Sequence, residues 1–399
     1  VPPSEPSSHE RFKQLLFIND YPPASVAGAP ILARRLLEDY DPERLDVLYC
    51  GSWSNIRAGL LPCRHTIVPA YNTKLRPRRF FLPIEATLNG WRLEKIMKIG
   101  RRIVKERGVQ AIFTTSYGAE MPHAAYFLSK ELGLPFYYFE MDRLDAVFLC
   151  PSAKRLITRH RRDFLQHASK LWLISPAMAR EFKRLYDVEG EPINNFIDLA
   201  TYQQASREVS QRPSDRIQII YTGSILMMLY DALEWFCRQL NDGITIDGKT
   251  VELSIYSQAC PPELLGPNVH YRGFVAHEEI PNKLAESDIA LMVAGFDVTP
   301  GQRLQIQTSV ASKTLDYLAA GKPVLIIAPP YSGQVDYYGP VCCVVDRLDR
   351  AALDEALRRL VTDPKYVADL RAKGFELIEK RHTLSALREL FLSHFLTVA

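Results

Sequence analysis

The sequence predicts an α/β protein of two doubly wound, parallel-sheet (Rossmann-like) domains facing a cleft. Three observations carry this reading. The chain of 399 residues exceeds one ordinary core and suits two domains of roughly 150–200 residues each. Apolar runs of strand length alternate with amphipathic runs of helix length in both halves, which is the pattern of strand–helix–strand units. Between the halves, residues 200–214 are polar and aperiodic, which marks a linker.

Taken in order, residues 14–19 (QLLFIN) predict a strand, followed by a turn-rich loop and a helix with Pro30 in its first turn, where a missing N–H costs nothing. Residues 45–49 predict a second strand. The spacing of Leu93, Ile96, Met97 and Ile103 predicts a helix over 91–107. Strands at 111–115, 136–140 and 171–175 then alternate with helices at 123–132 and 176–186. The second half repeats the scheme, with strands at 217–221, 251–256, 269–271, 289–293 and 323–327 and helices at 230–240, 280–286 and 313–320. Cys342 and Cys343 sit in VCCVV, a buried strand by its composition. Residues 1–13 read as a flexible leader without the apolar core of a signal peptide. The expected division is 14–199, linker 200–214, 215–370, and a helical tail 371–399 that crosses back to the first domain.

Composition narrows the function. With 47% hydrophobic and 24% charged residues, neither wholesale disorder nor a collagenous chain is possible. No uninterrupted apolar stretch approaches ~18 residues, so the sequence predicts no transmembrane helix. Seven cysteines without a CxxC pair offer neither a metal-ligand spacing nor a disulfide framework, and a reducing, cytoplasmic compartment is expected. The net charge of +3 hides an asymmetry: residues 51–110 hold 13 basic and 3 acidic residues, including Lys74, Arg76, Arg78, Arg79, Arg101 and Arg102. Such a patch suits a phosphate-bearing acceptor or the anionic inner face of a membrane. Nucleic acid is not expected as a partner, since neither an aromatic-studded module nor a zinc motif accompanies the charge.

Gly243–Thr250 satisfies the P-loop expression GxxxxGK[ST], but the segment follows a helical pattern and runs into the β-branched VELSIYS. A P-loop needs the reverse order, strand into helix. The informative stretch is SVASKTLDYLAAGKPVLIIA (309–328). Ser312 is the expected N-cap, Lys313 opens the helix, Gly321 ends it and Pro323 begins a buried strand. A lysine in a helix's first turn is suited to a diphosphate, and Asp316, one turn along the same face, to ribose hydroxyls.

This stretch resembles the nucleotide-sugar glycosyltransferases of the GT-B architecture, particularly glycosyltransferase family 4. There Ser-Lys-x-x-Glu-Tyr-x-x-x-Gly-x-Pro-Val lies on the donor-binding helix. The likeness runs from about residue 14 to 395: residues 17–30 resemble the family's first strand and glycine loop with Gly28, residues 195–198 its segment before the linker, residues 221–224 its second-domain glycine turn with Gly223 and Ser224, and residues 269–292 its V-x-F-x-G stretch. Residues 116–142, with His123 and Asp142, resemble the acceptor-side wall. The resemblance implies transfer of a sugar from a nucleoside diphosphate sugar to a hydroxyl acceptor, and the basic excess of the first half suggests a glycan, polysaccharide or glycolipid context with a lipid-linked acceptor. The resemblance implies retention of configuration and no cofactor or metal. It places His123 and Asp142 in catalysis, and Gly28, Gly223, Ser224, Arg303, Ser312, Lys313 and Asp316 around the donor. Two departures stand out. The first carboxylate of the family's paired glutamates falls on Thr308, and no cation follows Gly223, which leaves Lys313 or Arg303 to meet the phosphates. A nucleotide-sugar epimerase and a non-catalytic binding protein on the same fold are the competing readings.

Overall fold

The computed structural model describes residues 12–25, 28–56, 59–69, 82–143, 151–208 and 215–397. Contacts divide the chain into two compact units, 1–193 with 385–399, and 194–384. The first runs β1 (Leu15–Asn19), α1 (Gly28–Leu37), β2 (Leu45–Cys50), β3 (Arg64–Val68), α2 (Leu82–Arg107), β4 (Ala111–Thr115), α3 (Glu120–Leu132), β5 (Phe136–Glu140), α4 (Pro151–His167), β6 (Lys170–Leu173), α5 (Pro176–Tyr186) and the short β7 (Glu191–Pro192). All its strands pair in parallel, in the order β3-β2-β1-β4-β5-β6-β7. Central strands covered on both faces must be apolar throughout, and β1, β4 and β5 are buried at every position. Edge strand β3 is RHTIV, with Val68 alone of the five buried, so it carried no apolar signal in the sequence.

The second unit runs α6 (Leu199–Glu208), β8 (Arg216–Thr222), α7 (Tyr230–Asn241), β9 (Thr245–Ile246), β10 (Lys249–Tyr256), β11 (Val269–Gly273), α8 (Ile280–Ala285), β12 (Ile289–Val293), α9 (Pro300–Thr308), α10 (Lys313–Ala319), β13 (Val324–Ile327), α11 (Gly333–Tyr338), β14 (Cys343–Val345), α12 (Arg350–Thr362) and α13 (Pro364–Arg381). The sheet order is β11-β10-β8-β12-β13-β14, with β9 added antiparallel to β10. The P-loop look-alike is this β9–β10 hairpin, turned by Asp247 and Gly248 with φ of 50° and 76°. Those left-handed values at two consecutive residues suit a tight hairpin and no phosphate nest.

Three expectations are corrected. Where a featureless linker was expected over 200–214, α6 occupies 199–208; residues 209–214 lie outside the described ones. The tail does not leave the second unit at 371: α13 stays there, and only residues from 385 join the first, within α14 (Leu384–Ser393). There Phe391 packs on Phe113 and Trp172, with ring centroids 5.2 and 4.8 Å apart. Arg388 binds Asp39 at 2.6 Å, Glu38 at 3.0 Å and the Arg35 carbonyl at 2.7 Å. Apolar burial and a three-way charged anchor fix the tail, and neither is visible in a helical pattern alone. Between the strand expected at 289–293 and the helix expected at 313–320, where no element was assigned, lies α9, which Thr299 and Gln302 start with a reciprocal capping box. The expected leader falls largely outside the described residues, as do Lys74, Arg76, Arg78 and Arg79.

Candidate functional site

In an open α/β sheet, ligands gather beyond the carboxyl ends of strands where the strand order reverses. The first sheet reverses between β1 and β4, the second between β8 and β12.

At the second reversal the chain leaves β8 through Thr222 and Gly223. Gly223 has φ of 98°, a conformation costly for any side chain, and its N–H donates to the Tyr256 carbonyl at 2.9 Å. Ser224 is exposed, and its carbonyl accepts the Tyr221 hydroxyl at 2.9 Å. Lys313 reaches this turn from α10. Its Nζ donates to the Thr222 carbonyl at 3.0 Å and lies 3.7 Å from the centroid of the Tyr221 ring. Tyr317 clamps the same strand end, its hydroxyl accepting the Thr222 N–H at 3.0 Å. No carboxylate neutralises Lys313 among the described residues, and burial pulls its pKa down to about 7. A half-buried ammonium held, among the described residues, by a carbonyl and a ring face is a receptor for an anion. Asp316 sits one turn on and accepts the Tyr202 hydroxyl of α6 at 2.6 Å.

The loop after β12 is equally tight. Asp231 accepts the N–H groups of Phe296 and Asp297 at 2.8 and 2.9 Å, and a Cβ at Gly295 would stand 2.4 Å from its carboxylate. Arg303 lies on α9, exposed, with its guanidinium 4.1 Å above the Tyr331 ring. Thr308 is buried and donates its hydroxyl to the Leu304 carbonyl at 2.8 Å, so this position supplies helix packing and no carboxylate.

Ser312 is corrected. It makes no side-chain cap, because its own φ and ψ (−58°, −36°) are already helical and its side chain is exposed. At seven residues α10 is also short, so the positive charge at this site rests on the Lys313 ammonium more than on a macrodipole.

At the first reversal a polar cluster joins three strand ends. Asn19 donates to the Thr115 hydroxyl, which also bonds the Tyr21 hydroxyl at 2.6 Å. Asp20 accepts the Gly118 N–H at 2.9 Å, an approach so close that a Cβ at Gly118 would stand 2.5 Å from the carboxylate. Ser116 accepts the N–H groups of Met141 and Asp142 at 2.8 and 3.1 Å, which ties the end of β5 to the same turn. Burial, with the nearby Glu120 charge second, raises Asp20 to about 7. The Tyr21 and Tyr117 hydroxyls are raised by burial first, with the charges of Asp20 and Asp142 adding to it. Tyr21, Trp53 and Tyr117 form an edge-to-face trio with centroids 5.2 to 5.9 Å apart. An acid able to exchange a proton near neutral pH beside aromatic faces suits a polyhydroxylated ligand.

Asp142 therefore belongs to this cluster, and exposed. His123 does not join it directly. Its ring packs against Phe164 of α4, centroids 5.1 Å apart, and its Nδ1 meets the Ala119 carbonyl at 2.7 Å. Burial lowers its pKa to about 4, so the ring is neutral at pH 7, and its Nε2 has no partner among the described residues. Through Ala119 it braces the turn that offers Gly118 to Asp20. Gly28 opens α1 with nothing within 4 Å of an added Cβ, so no close approach requires glycine there. Asn19, Asp20, Tyr21 and Thr115 went unnoticed in the sequence. The signal was available, since Asn19 ends the first strand and Asp20 and Tyr21 directly follow it, the same rule that singled out Asp142.

Solved structures resemble the chain over both units. The sucrose-phosphate synthase of Thermosynechococcus elongatus is 15% identical, with a TM-score of 0.68 over 96% of this chain and 98% of that one. HepE of Anabaena, in complex with UDP and glucose, is 13% identical, with a TM-score of 0.65 over 96% and 99%. WaaG, a glycosyltransferase involved in lipopolysaccharide biosynthesis, is 15% identical, with a TM-score of 0.59 over 96% and 99%. The fold is GT-B. Residues 233–392 also match the family model described as glycosyl transferase-like. That match spans α7 to α14 and so includes Lys313 and Asp316, whereas the GT-B likeness covers the first unit as well. No curated protein sequence matches the chain.

Proposed function

We propose that this protein is a glycosyltransferase that moves a sugar from a nucleoside diphosphate sugar to a hydroxyl acceptor. The observation that carries the reading is Lys313, an ammonium without a carboxylate partner at the strand reversal of the second unit, within a segment matching a glycosyl transferase-like family. In the reaction the leaving diphosphate gains charge as the glycosidic bond breaks. Lys313 would stabilise that charge, and the open Gly223 turn would admit the phosphates. Asp316, oriented by Tyr202, would bind the ribose. This reading asks no metal to carry the charge on the leaving group.

The cluster around Asp20, Tyr21, Trp53, Tyr117 and Asp142 is the proposed acceptor side, where Asp20 would receive a proton and the aromatic faces would hold a glycan. His123 is then a positioning residue for the Gly118 turn. A uridine donor is favoured because HepE was solved with UDP and with UDP-glucose. Retention of configuration, a lipid-linked acceptor, and a cytoplasmic site at the inner membrane face remain part of the proposal, the last supported by the basic excess in 51–110. No helix among the described residues is long and apolar enough to cross a membrane. Calorimetry with UDP-, GDP-, TDP- and ADP-sugars, followed by product analysis with labelled donor, tests the reading. Transferred or hydrolysed sugar supports it. Epimerised donor, or binding without turnover, replaces it with one of the competing readings.

A further inference from the structure

A doubly wound sheet is covered by helices on both faces, so its central strands are apolar on both. The second unit breaks this rule on one face. Ile217, Ile219, Val251, Leu253 and Ile255 line one side and are buried, as the rule requires. The other side carries the apolar Ile220 but also Gln218, Glu252, Ser254, His270 and Arg272, which the parallel register of β8, β10 and β11 brings together. Helix α8 covers this side with only six residues, packing through Ile280, Pro281 and Leu284. Between the short helix and the polar strands lies a cavity of about 370 Å³, bounded by Gln218, Ser254, Tyr256, Arg272, Lys283 and Ser287 among others. It runs along the strand faces, and Thr222, Gly223, Lys313 and Asp316 are not among its lining residues; it adjoins the donor turn at Tyr256, whose carbonyl accepts the Gly223 N–H.

The charges around it are unevenly spent. The buried Glu252 is held by Arg216, by Gln218 at 3.0 Å and by His270 at 3.4 Å. Lys283 pairs with Glu286 on the rim at 3.1 Å. Arg272 has no carboxylate partner among the described residues; it makes one long bond, from Nε to the Ser254 hydroxyl at 3.4 Å. Two cations against one rim carboxylate leave a net positive lining, and an amide and three hydroxyls supply donors and acceptors at neutral pH. A planar guanidinium with free N–H groups matches a phosphate, and the hydroxyl-rich wall with a tyrosine matches a sugar ring. A cavity of this volume accommodates one such molecule.

We propose that this cavity is a second binding site, for a sugar monophosphate of hexose size, with the phosphate on Arg272 and Lys283 and the ring hydroxyls against Gln218, Ser254 and Tyr256. Calorimetry on the full chain with glucose 6-phosphate, glucose and inorganic phosphate tests it. The expected result is saturable binding of glucose 6-phosphate at least about tenfold tighter than either half alone, weakened about tenfold or more in Arg272→Ala. Arg272 is exposed, so the unliganded melting temperature of that variant should equal the parent's. Should it fall, Lys283→Ala provides the same comparison from α8. No binding at millimolar ligand, equal affinity for phosphate and glucose 6-phosphate, or variants that bind like the parent would each overturn the proposal. UDP-glucose titrated into the same variants reports on the donor site separately, so failure of one site does not mimic failure of the other.

Discussion

Because Lys313 is half-buried without a counter-charge, donor binding should take up a proton. In the free protein its pKa is lowered to about 7 from the usual 10.5, with burial as the cause. A diphosphate beside Nζ favours the charged form and returns the pKa toward its ordinary value. The sign follows from linkage: the complex holds the proton more tightly than the free protein, so affinity is greatest below pH 7 and is lost as pH rises above it. If the bound pKa recovers fully, the dissociation constant should rise about fiftyfold between pH 7 and pH 9, an order-of-magnitude figure. UDP-glucose is the ligand of choice, since its diphosphate diester does not titrate in this window. The assay is calorimetry at pH 6.5, 7, 8 and 9 in two buffers of different ionisation enthalpy, which counts the proton directly. Lys313→Arg, which stays charged, should bind with a flat pH profile. Lys313→Met should bind about one to two decades more weakly at pH 6.5, also with a flat profile. A parent whose affinity does not change across this range, with no buffer-dependent heat, would show that Lys313 does not meet the phosphates.

Three other outcomes follow from the same geometry. Asp316→Asn should weaken UDP-glucose binding about tenfold while turnover at saturating donor holds, since the ribose is unchanged in the reaction; steady-state kinetics with calorimetry separates the two. Asp20→Asn should lower turnover and remove the rise in rate expected up to about pH 7, where the parent carboxyl loses its proton, yet leave donor affinity intact; a pH–rate profile decides this. His123 and His382 are both buried and lowered to about 4, so each takes up its proton more readily when unfolded, and stability should be lost as pH falls from about 6.5 toward 4. Urea unfolding across that range should show a decline that shrinks in His382→Gln, whose ring otherwise bonds Tyr337 at 2.9 Å and Asn195 at 2.6 Å.

What the chain determined locally was legible. Central strands buried on both faces have to be continuous apolar runs, so β1, β4, β5, β12 and β13 stood out, and the alternation with helices followed. Helix α5 was legible because Pro176 opens it, a local device, whereas Ser175, which caps it, read as the end of the preceding strand. The placement of Lys313 and Asp316 one turn apart on a helix was legible because local spacing fixes it whatever surrounds them. Tertiary structure decided the rest. The edge strand β3 is held by pairing with β2 and needs no apolar run. Ser312 lost its expected capping role because its own backbone is already helical, a matter of backbone path. The position of Asp20 after a strand was legible, but its bond to the Gly118 N–H at 2.9 Å exists only in the folded chain, and His123 could be assigned to packing only once α4 set Phe164 against its ring. Proton affinities were hidden for the same reason. A residue's type sets its ordinary pKa, but the burial that moves Asp20 up and Lys313 down is created by elements distant in sequence, and so exists only in the folded chain.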